Sequence, residues 1–233
     1  MSLVNCFPDE WRADSHKIND FITFKGVLPL MPYMTEVDDL TNIIMTSPKP
    51  IVWLETGPLT ALAACLDKEP KVSQKITKLI WMGTSFVTLI NGTSFCPGTD
   101  GSQEWNAFCD PKAMATVFES DIDITVCTRE LCNKVKIDLD FYESLPDTIS
   151  GNIFKKIYSL YWKDDYYRMW DVLTASYLDV PEIFTTEIKT VSVIAEGEKQ
   201  GCSVEDVDGR QITVVTDVDK DKFYEYVLEQ LSK

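Results

Sequence analysis

The sequence predicts an α/β fold, with a Rossmann-like, mostly parallel sheet, flanking helices and a small late antiparallel strand pair. Short apolar runs that end in glycine-containing turns alternate with helical patterns through the middle of the chain, as in parallel sheets whose strands are joined by helices. Two late segments alternate polar and apolar residues, which is typical of antiparallel strands. The 233 residues, 45% of them hydrophobic, suffice for one large core, so we predict a single domain over 1–233.

The middle of the chain gives the clearest elements. An apolar run that stops at a Gly-Pro turn predicts a buried strand over 51–54, and the Ala- and Leu-rich stretch 59–66 predicts a helix. A short helix beginning at Pro70 precedes a second buried strand over 78–82, which Gly83 stops. After the long polar loop 84–106, Asp110-Pro111 opens a helix through Phe118, because proline is favoured at the first helical position.

The second half continues the pattern with less regular spacing, and the first 35 residues carry only weak signals. We predict a strand over 122–127, helices over 36–45, 129–136, 140–144, 151–162 and 166–177, antiparallel strands over 189–195 and 211–215, and a closing helix over 219–231. Residues 1–35 are left as a poorly assigned leading segment.

Charge and composition exclude several classes of partner. The net charge is −15, from 37 acidic against 22 basic residues, and such a surface repels nucleic-acid backbones and anionic membranes. No apolar run approaches the roughly 20 residues that span a bilayer, and no signal peptide is visible. Seven cysteines without a Cys-x-x-Cys pair fit a reducing compartment. We therefore predict a cytoplasmic protein with no nucleic-acid or membrane partner.

Two motifs lie at the ends of predicted strands, and a third ends the long loop. They are Glu55-Thr56-Gly57-Pro58-Leu59-Thr60, then Trp81-Met82-Gly83, and then Glu104-Trp105-Asn106-Ala107-Phe108-Cys109-Asp110-Pro111. Parallel sheets bind ligands at the carboxyl ends of their strands, and loops as long as 84–106 are usually functional or mobile. The motifs therefore predict a ligand site at this edge.

In order and spacing, these motifs resemble the inosine-uridine preferring nucleoside hydrolase family. The resemblance continues through the predicted strand over 122–127, Trp170-Asp171 and the ending over 217–231, so it covers roughly residues 36–233. The resemblance implies cleavage of the N-glycosidic bond of ribonucleosides, with a calcium ion that holds the ribose diol and activates a water. It implies that the Thr56 carbonyl and Asp171 ligate calcium. It also implies that Met82 lies near the ribose, and that Glu104 and Asn106 hydrogen-bond its hydroxyls.

Each of these residues has a structural alternative. Thr56 would cap the helix at Leu59, and Met82 would fill the core. Asp171 would be a solvated helix residue. Trp170, which precedes it, would either stack on the base of a bound nucleoside or pack in the core with neighbouring aromatic residues.

The sequence also departs from the family pattern. The family's Asp-Thr-Asp-Pro-Gly turn with paired aspartates is absent, and Asp38-Asp39 lies at the start of a predicted helix instead. A histidine often precedes the late aspartate in the family, but here Trp170 does, and the one histidine is His16. The chain is therefore expected to begin partway through the family fold, and no catalytic residue is assigned.

These departures predict a nucleoside-hydrolase-like protein of reduced or lost activity, because a general base and most calcium ligands are missing. The alternative is a non-catalytic ribose- or nucleoside-binding module or protein-interaction module. A third interpretation is a fragment that needs a partner subunit to supply the missing strands. Members of the family that the chain resembles are often homo-oligomers, so a homo-oligomer is the other assembly left open.

Overall fold

The computed structural model describes residues 37–86, 96, 101–159 and 168–233. The leading segment 1–35, with His16, lies outside the described residues, as do residues 160–167 and most of the loop 84–106.

Helices and strands alternate along the described chain. In order they are α1 (Val37–Thr46), β1 (Ile51–Glu55), α2 (Thr60–Lys68), α3 (Val72–Lys75), β2 (Ile76–Met82), α4 (Trp105–Cys109), α5 (Pro111–Phe118), β3 (Ile124–Cys127), α6 (Arg129–Cys132), α7 (Leu139–Ser144), α8 (Ile149–Tyr158), α9 (Trp170–Ser176), a 3₁₀ turn (Pro181–Ile183), β4 (Phe184–Ile194), β5 (Cys202–Glu205), β6 (Arg210–Val218) and α10 (Lys220–Leu231).

The described strands form one six-stranded sheet in the order β1-β2-β3-β6-β4-β5. Strands β1, β2, β3 and β6 run parallel to one another, whereas β4 is antiparallel to both β6 and β5. This topology confirms the predicted fold class, including its late antiparallel pair. The short strand β5 was not predicted, and it extends the antiparallel part of the sheet to three strands.

Side chains on the two faces of the sheet pack into two separate cores. In β2, Trp81 points into the first core, which α2 and α5 cover, and the next residue, Met82, points into the second. Residues Val126 and Cys127 of β3 divide in the same way, because successive side chains of a strand point to opposite faces. The helices α6, α9 and α10 cover the second core. Burial on both faces explains why these strands appear in the sequence as unbroken apolar runs.

The helix predicted over 129–136 ends earlier than expected. Helix α6 stops at Cys132, and the chain after it turns to pair with the segment before α9. Met169 donates its backbone N–H to the Val135 carbonyl, and Lys136 forms an isolated antiparallel bridge with Arg168. These backbone bonds compete with helix continuation, which is why the helix is shorter than its sequence pattern. Within the described ranges, no helix has both the length and the apolar character to cross a membrane.

Candidate functional site

The carboxyl ends of β1, β2 and β3 meet at one edge of the sheet. The parallel register pairs Glu55 with Trp81, and Met82 with Cys127, so the three strands end close to the same level. The loops that leave these ends carry the predicted site residues of the first half of the chain. This is the edge at which open α/β sheets bind their ligands.

The side chain of Asn106 joins two of these strand ends. Its amide nitrogen donates to the Thr56 carbonyl oxygen at 3.2 Å and to the Met82 carbonyl oxygen at 2.9 Å. Both amide hydrogens have an acceptor in these carbonyls. The Asn106 side-chain oxygen accepts no hydrogen bond from any residue within the described ranges. Three predicted site residues are thus brought into direct contact, with one acceptor remaining for a ligand.

Glu104 begins the short helix α4 and is buried. One carboxylate oxygen accepts the backbone N–H of Asn106 at 2.9 Å, and the other accepts those of Ala107 at 3.0 Å and Thr84 at 3.1 Å. Burial raises the pKa of the Glu104 carboxyl to about 7, and the three N–H groups and the nearby Arg129 guanidinium limit the rise. Glu104 therefore caps the helix and also fixes the loop that follows β2.

Thr84 is the residue through which this loop is fixed. It is buried and has a φ of 62°, a left-handed conformation that is uncommon outside glycine. Besides the bond to Glu104, its hydroxyl donates to the Ser203 hydroxyl at 2.6 Å, and its carbonyl accepts the Arg129 backbone N–H at 3.2 Å. Contacts to three separate elements hold Thr84 in this conformation.

The other two predicted site residues lie at the start of α9, which packs against β2. Trp170 is half-buried against the second core, and its indole N–H donates to the Asn133 side-chain oxygen at 3.0 Å. Asp171 is exposed at the helix surface, yet partial desolvation by the surrounding protein raises the pKa of its carboxyl to about 6. Its charge in turn raises the pKa of the Tyr158 hydroxyl, where burial is the larger cause.

Comparison with known proteins assigns this arrangement to a family. The model of the family described as inosine-uridine preferring nucleoside hydrolase matches residues 22–225. The chain belongs to this family. The match extends further toward the N-terminus than the motifs that carry the resemblance in the sequence.

Individual relatives agree with the family assignment. The chain is 30% identical over 203 residues to the non-specific ribonucleoside hydrolase RihC of Escherichia coli strain SMS-3-5, covering 83% of this chain and 64% of the relative. The crystal structure of an inosine-uridine preferring nucleoside hydrolase from Bacillus anthracis superposes with a TM-score of 0.76 at 33% identity, covering 84% of this chain and 64% of that chain.

A more distant relative shares the fold. The purine-preferring ribonucleoside hydrolase from Gardnerella vaginalis superposes with a TM-score of 0.68 at 22% identity, over 84% of this chain and 65% of that chain. The chain thus spans somewhat less than two thirds of the length of these relatives.

The structure excludes one of the structural alternatives, the helix-capping role of Thr56. Thr56 does not cap α2, because the N-cap position is Leu59 and no side chain caps that helix. Met82 is buried in the second core, as the alternative expected, and its carbonyl also contacts Asn106. The predicted ligand contacts stay predictions for all of the site residues: the ribose or base contacts of Met82, Glu104, Asn106 and Trp170, and the calcium contacts of Thr56 and Asp171.

The described residues do not by themselves fit the calcium ion that the resemblance implies. Calcium takes six to eight oxygen ligands in proteins. Within the described ranges, no group of three acidic, histidine or cysteine side chains lies together in a way that could hold a metal. The Thr56 carbonyl, one of two predicted ligands, already accepts a hydrogen bond from Asn106.

Sequence reasoning missed Thr84 and Arg129, although both lie at the edge it identified. Arg129 lies two residues after the end of β3, so the rule that pointed to Thr56 and Met82 at the ends of β1 and β2 would also have pointed to this segment. The left-handed conformation of Thr84 could not be predicted from the sequence, because the position holds neither glycine nor asparagine, the residues that usually adopt it.

Proposed function

We propose that the 233-residue chain binds ribonucleosides through their ribose, and that it hydrolyses them far more slowly than the E. coli relative, or not at all. The observation that carries the proposal is the contact of Asn106 with the ends of β1 and β2, beside the Glu104 carboxylate. It supports a preformed sugar site at the edge where the family's motifs converge.

The polar atoms of this site suit a sugar diol. The Asn106 side-chain oxygen is an acceptor, and the Glu104 carboxylate has about four lone-pair positions, of which three backbone N–H groups use three. Two neighbouring ribose hydroxyls can donate to these acceptors. The acidic surface of the chain, with a net charge of −15, favours a neutral nucleoside over a phosphorylated one.

The proposed loss of rate follows from the groups that the sequence lacks. A positioned general acid or base contributes about 10²–10⁴-fold to a rate. The chain carries no Asp-Thr-Asp-Pro-Gly turn, and Trp170 stands where a histidine often precedes the late aspartate. Glu104 is not assigned as a replacement base, because three backbone N–H groups use three of its lone-pair positions and the remaining one is proposed to accept a ribose hydroxyl.

Ribose and inosine binding, measured by calorimetry, tests the sugar site. We expect wild-type chain to bind ribose and Asn106→Ala to bind it about tenfold or more weakly, since a ligand acceptor and two carbonyl contacts are lost. Asn152→Ala is the matched control, because Asn152 lies on α8 and bonds only to Asp147 among the described side chains. No binding of ribose or inosine by the wild type would refute the sugar site.

A parallel assay of base release from inosine and uridine, with and without calcium, tests the proposed rate. The E. coli relative serves as the positive control. We expect release at least about a thousandfold slower than with that relative, as the loss of acid-base groups dictates. Release at a comparable rate would show that the chain is a competent hydrolase.

The proposed cytoplasmic location rests on the thiols. Cys65, Cys127, Cys132 and Cys202 carry no disulfide, and burial raises the pKa of the Cys127 thiol to about 12. Such unreactive thiols fit a reducing compartment.

The second candidate function is protein interaction, through self-association at β1. Among the described strands β1 pairs only with β2, so no described strand lies on its outer edge. Val52 is 50% exposed and Leu54 38% exposed there. Exposed apolar edges are prone to pair with another chain.

Light scattering over a range of concentrations tests this candidate. We expect a dimer that Val52→Lys converts to monomer, because a charge on the strand opposes edge pairing. Ile149→Lys is the control, since Ile149 is 81% exposed on α8, which is not part of the sheet. A wild-type monomer at every concentration would exclude this candidate.

A further inference from the structure

Arg129 links the two segments that flank residues 87–100. It is the first residue of α6, and only 12% of its side chain is exposed. One terminal guanidinium nitrogen donates to the carbonyls of Gly101 at 3.2 Å and Gln103 at 2.6 Å. The other donates to the Ser85 hydroxyl at 2.6 Å. A single side chain, 12% exposed, therefore holds residues on both sides of the loop.

The Arg129 backbone and the side chain of Glu130 also hold the segment that follows β2. The Arg129 backbone N–H donates to the Thr84 carbonyl at 3.2 Å. The Glu130 carboxylate accepts the Ser85 hydroxyl and, at 3.1 Å, the Phe86 backbone N–H. The start of α6 thus binds three successive residues that follow β2.

These segments carry the proposed sugar site. Gln103, whose carbonyl Arg129 holds, precedes Glu104, and Thr84 donates its N–H to the Glu104 carboxylate. Glu104 in turn begins the helix that presents Asn106 to the strand ends. A planar guanidinium offers five donors in a rigid fork, so it fixes several carbonyls at once, whereas an ammonium group is a single point donor.

We propose that Arg129 and Glu130 are positioning residues for this site: they hold the 84–86 segment against the 101–104 segment, so that Glu104 and Asn106 lie in register with the ends of β1 and β2. The inference rests on the proposed sugar-binding function. It assigns these two residues no contact with the ligand.

The chain offers a matched control for the loss of an arginine that bonds backbone carbonyls. Arg210 begins β6, and its guanidinium also donates to two backbone carbonyls, those of Ser120 and Ile122. It lies at the opposite end of the parallel strands, away from Glu104. Loss of Arg210 should therefore reproduce the general cost of removing such contacts without disturbing the site.

The test compares Arg129→Met, Arg129→Lys, Ser85→Ala and Arg210→Met in the full chain. Hydrogen exchange of the Thr84, Asn106 and Ala107 amides is measured without ligand, and ribose affinity is measured by calorimetry. We expect Arg129→Met to accelerate exchange at all three amides and to weaken ribose binding, each by about tenfold or more, since several charge-assisted hydrogen bonds are lost. We expect smaller changes for Arg129→Lys and Ser85→Ala, and wild-type values at these amides for Arg210→Met.

The two readouts separate the two proposals. Wild-type exchange at the three amides in folded Arg129→Met would overturn the positioning role, whatever the ribose result. If wild-type chain binds no ribose but Arg129→Met still loosens these amides, the sugar site fails while the positioning of Glu104 stands. If Arg129→Met does not fold, the Ser85→Ala variant tests the proposal instead, because it removes only the hydroxyl that bonds Arg129 and Glu130. Unchanged hydrogen exchange at the Thr84 amide of this variant would then contradict the positioning role.

Discussion

Replacing Trp81 with alanine is expected to lower the free energy of unfolding by about 3–5 kcal/mol, the range for large aromatic residues removed from a core. Trp81 is fully buried in the first core, where its ring meets Phe118 edge to face at 6.1 Å between centroids. Its indole N–H donates to the Gly57 carbonyl at 2.9 Å, so alanine also removes the donor for a carbonyl in the turn after β1. Gly83 packs so closely on the ring that a side chain there would collide with it.

Urea unfolding followed by circular dichroism measures this effect, since the substitution removes a fluorophore. Trp81→Phe is the matched variant, because it keeps an aromatic ring and removes the N–H. We expect it to cost about 1–3 kcal/mol, from lost packing and the lost hydrogen bond to Gly57. Equal stability of Trp81→Ala and wild type would show that the first core is not built around this ring.

Replacing Glu104 with glutamine is expected to change how stability depends on pH. The folded-state pKa of Glu104, about 7, lies above its ordinary value of 4.5. A raised carboxyl pKa stabilises the fold below about pH 4.5, and this contribution is lost as pH rises through 7. The difference in unfolding free energy between wild type and Glu104→Gln should therefore shift against the wild type by about 3 kcal/mol from pH 4.5 to 8, at 1.36 kcal/mol per pKa unit.

Paired urea titrations of the two proteins at pH 4.5 and pH 8 measure that shift, and the other titrating groups cancel because both proteins contain them. Glutamine also places an N–H₂ group opposite a backbone N–H, so we expect a pH-independent cost of about 1–3 kcal/mol as well. Glu196→Gln is the control for the substitution itself, since Glu196 is exposed beside Lys112. A pH-independent difference for Glu104→Gln would mean that its carboxyl is not desolvated.

The sequence sufficed to predict the parallel part of the sheet because those strands are buried on both faces. Strand β2 appears as a run of apolar residues, and its end at Met82 was placed correctly. Strand β5 was not predicted because it has only four residues, two buried followed by two exposed, and these do not show the alternation of a half-buried strand. Helix α6 was predicted too long because its pattern continues while the backbone pairs with Arg168 and Met169 instead.

The features of the candidate site also fall into those that the sequence predicted and those that it could not. Thr56, Met82 and Asn106 follow from sequence because strand ends of a parallel sheet meet at one edge, and the structure brings them together. The contacts of Arg129 with Gly101 and Gln103 join residues 28 and 26 positions apart, and such side-chain-to-carbonyl bonds leave no pattern in a sequence. The displaced pKa of Glu104 depends on burial that only the folded chain provides.

Crystals of the chain soaked with ribose and calcium chloride test the central claim most directly. We expect ribose at the edge formed by the ends of β1 and β2, with one hydroxyl hydrogen-bonded to the Asn106 side-chain oxygen and another to the Glu104 carboxylate. We also expect no calcium between the Thr56 carbonyl and Asp171. Ribose bound elsewhere would contradict the sugar site, and calcium held by Thr56 and Asp171 would contradict the proposed loss of hydrolytic rate.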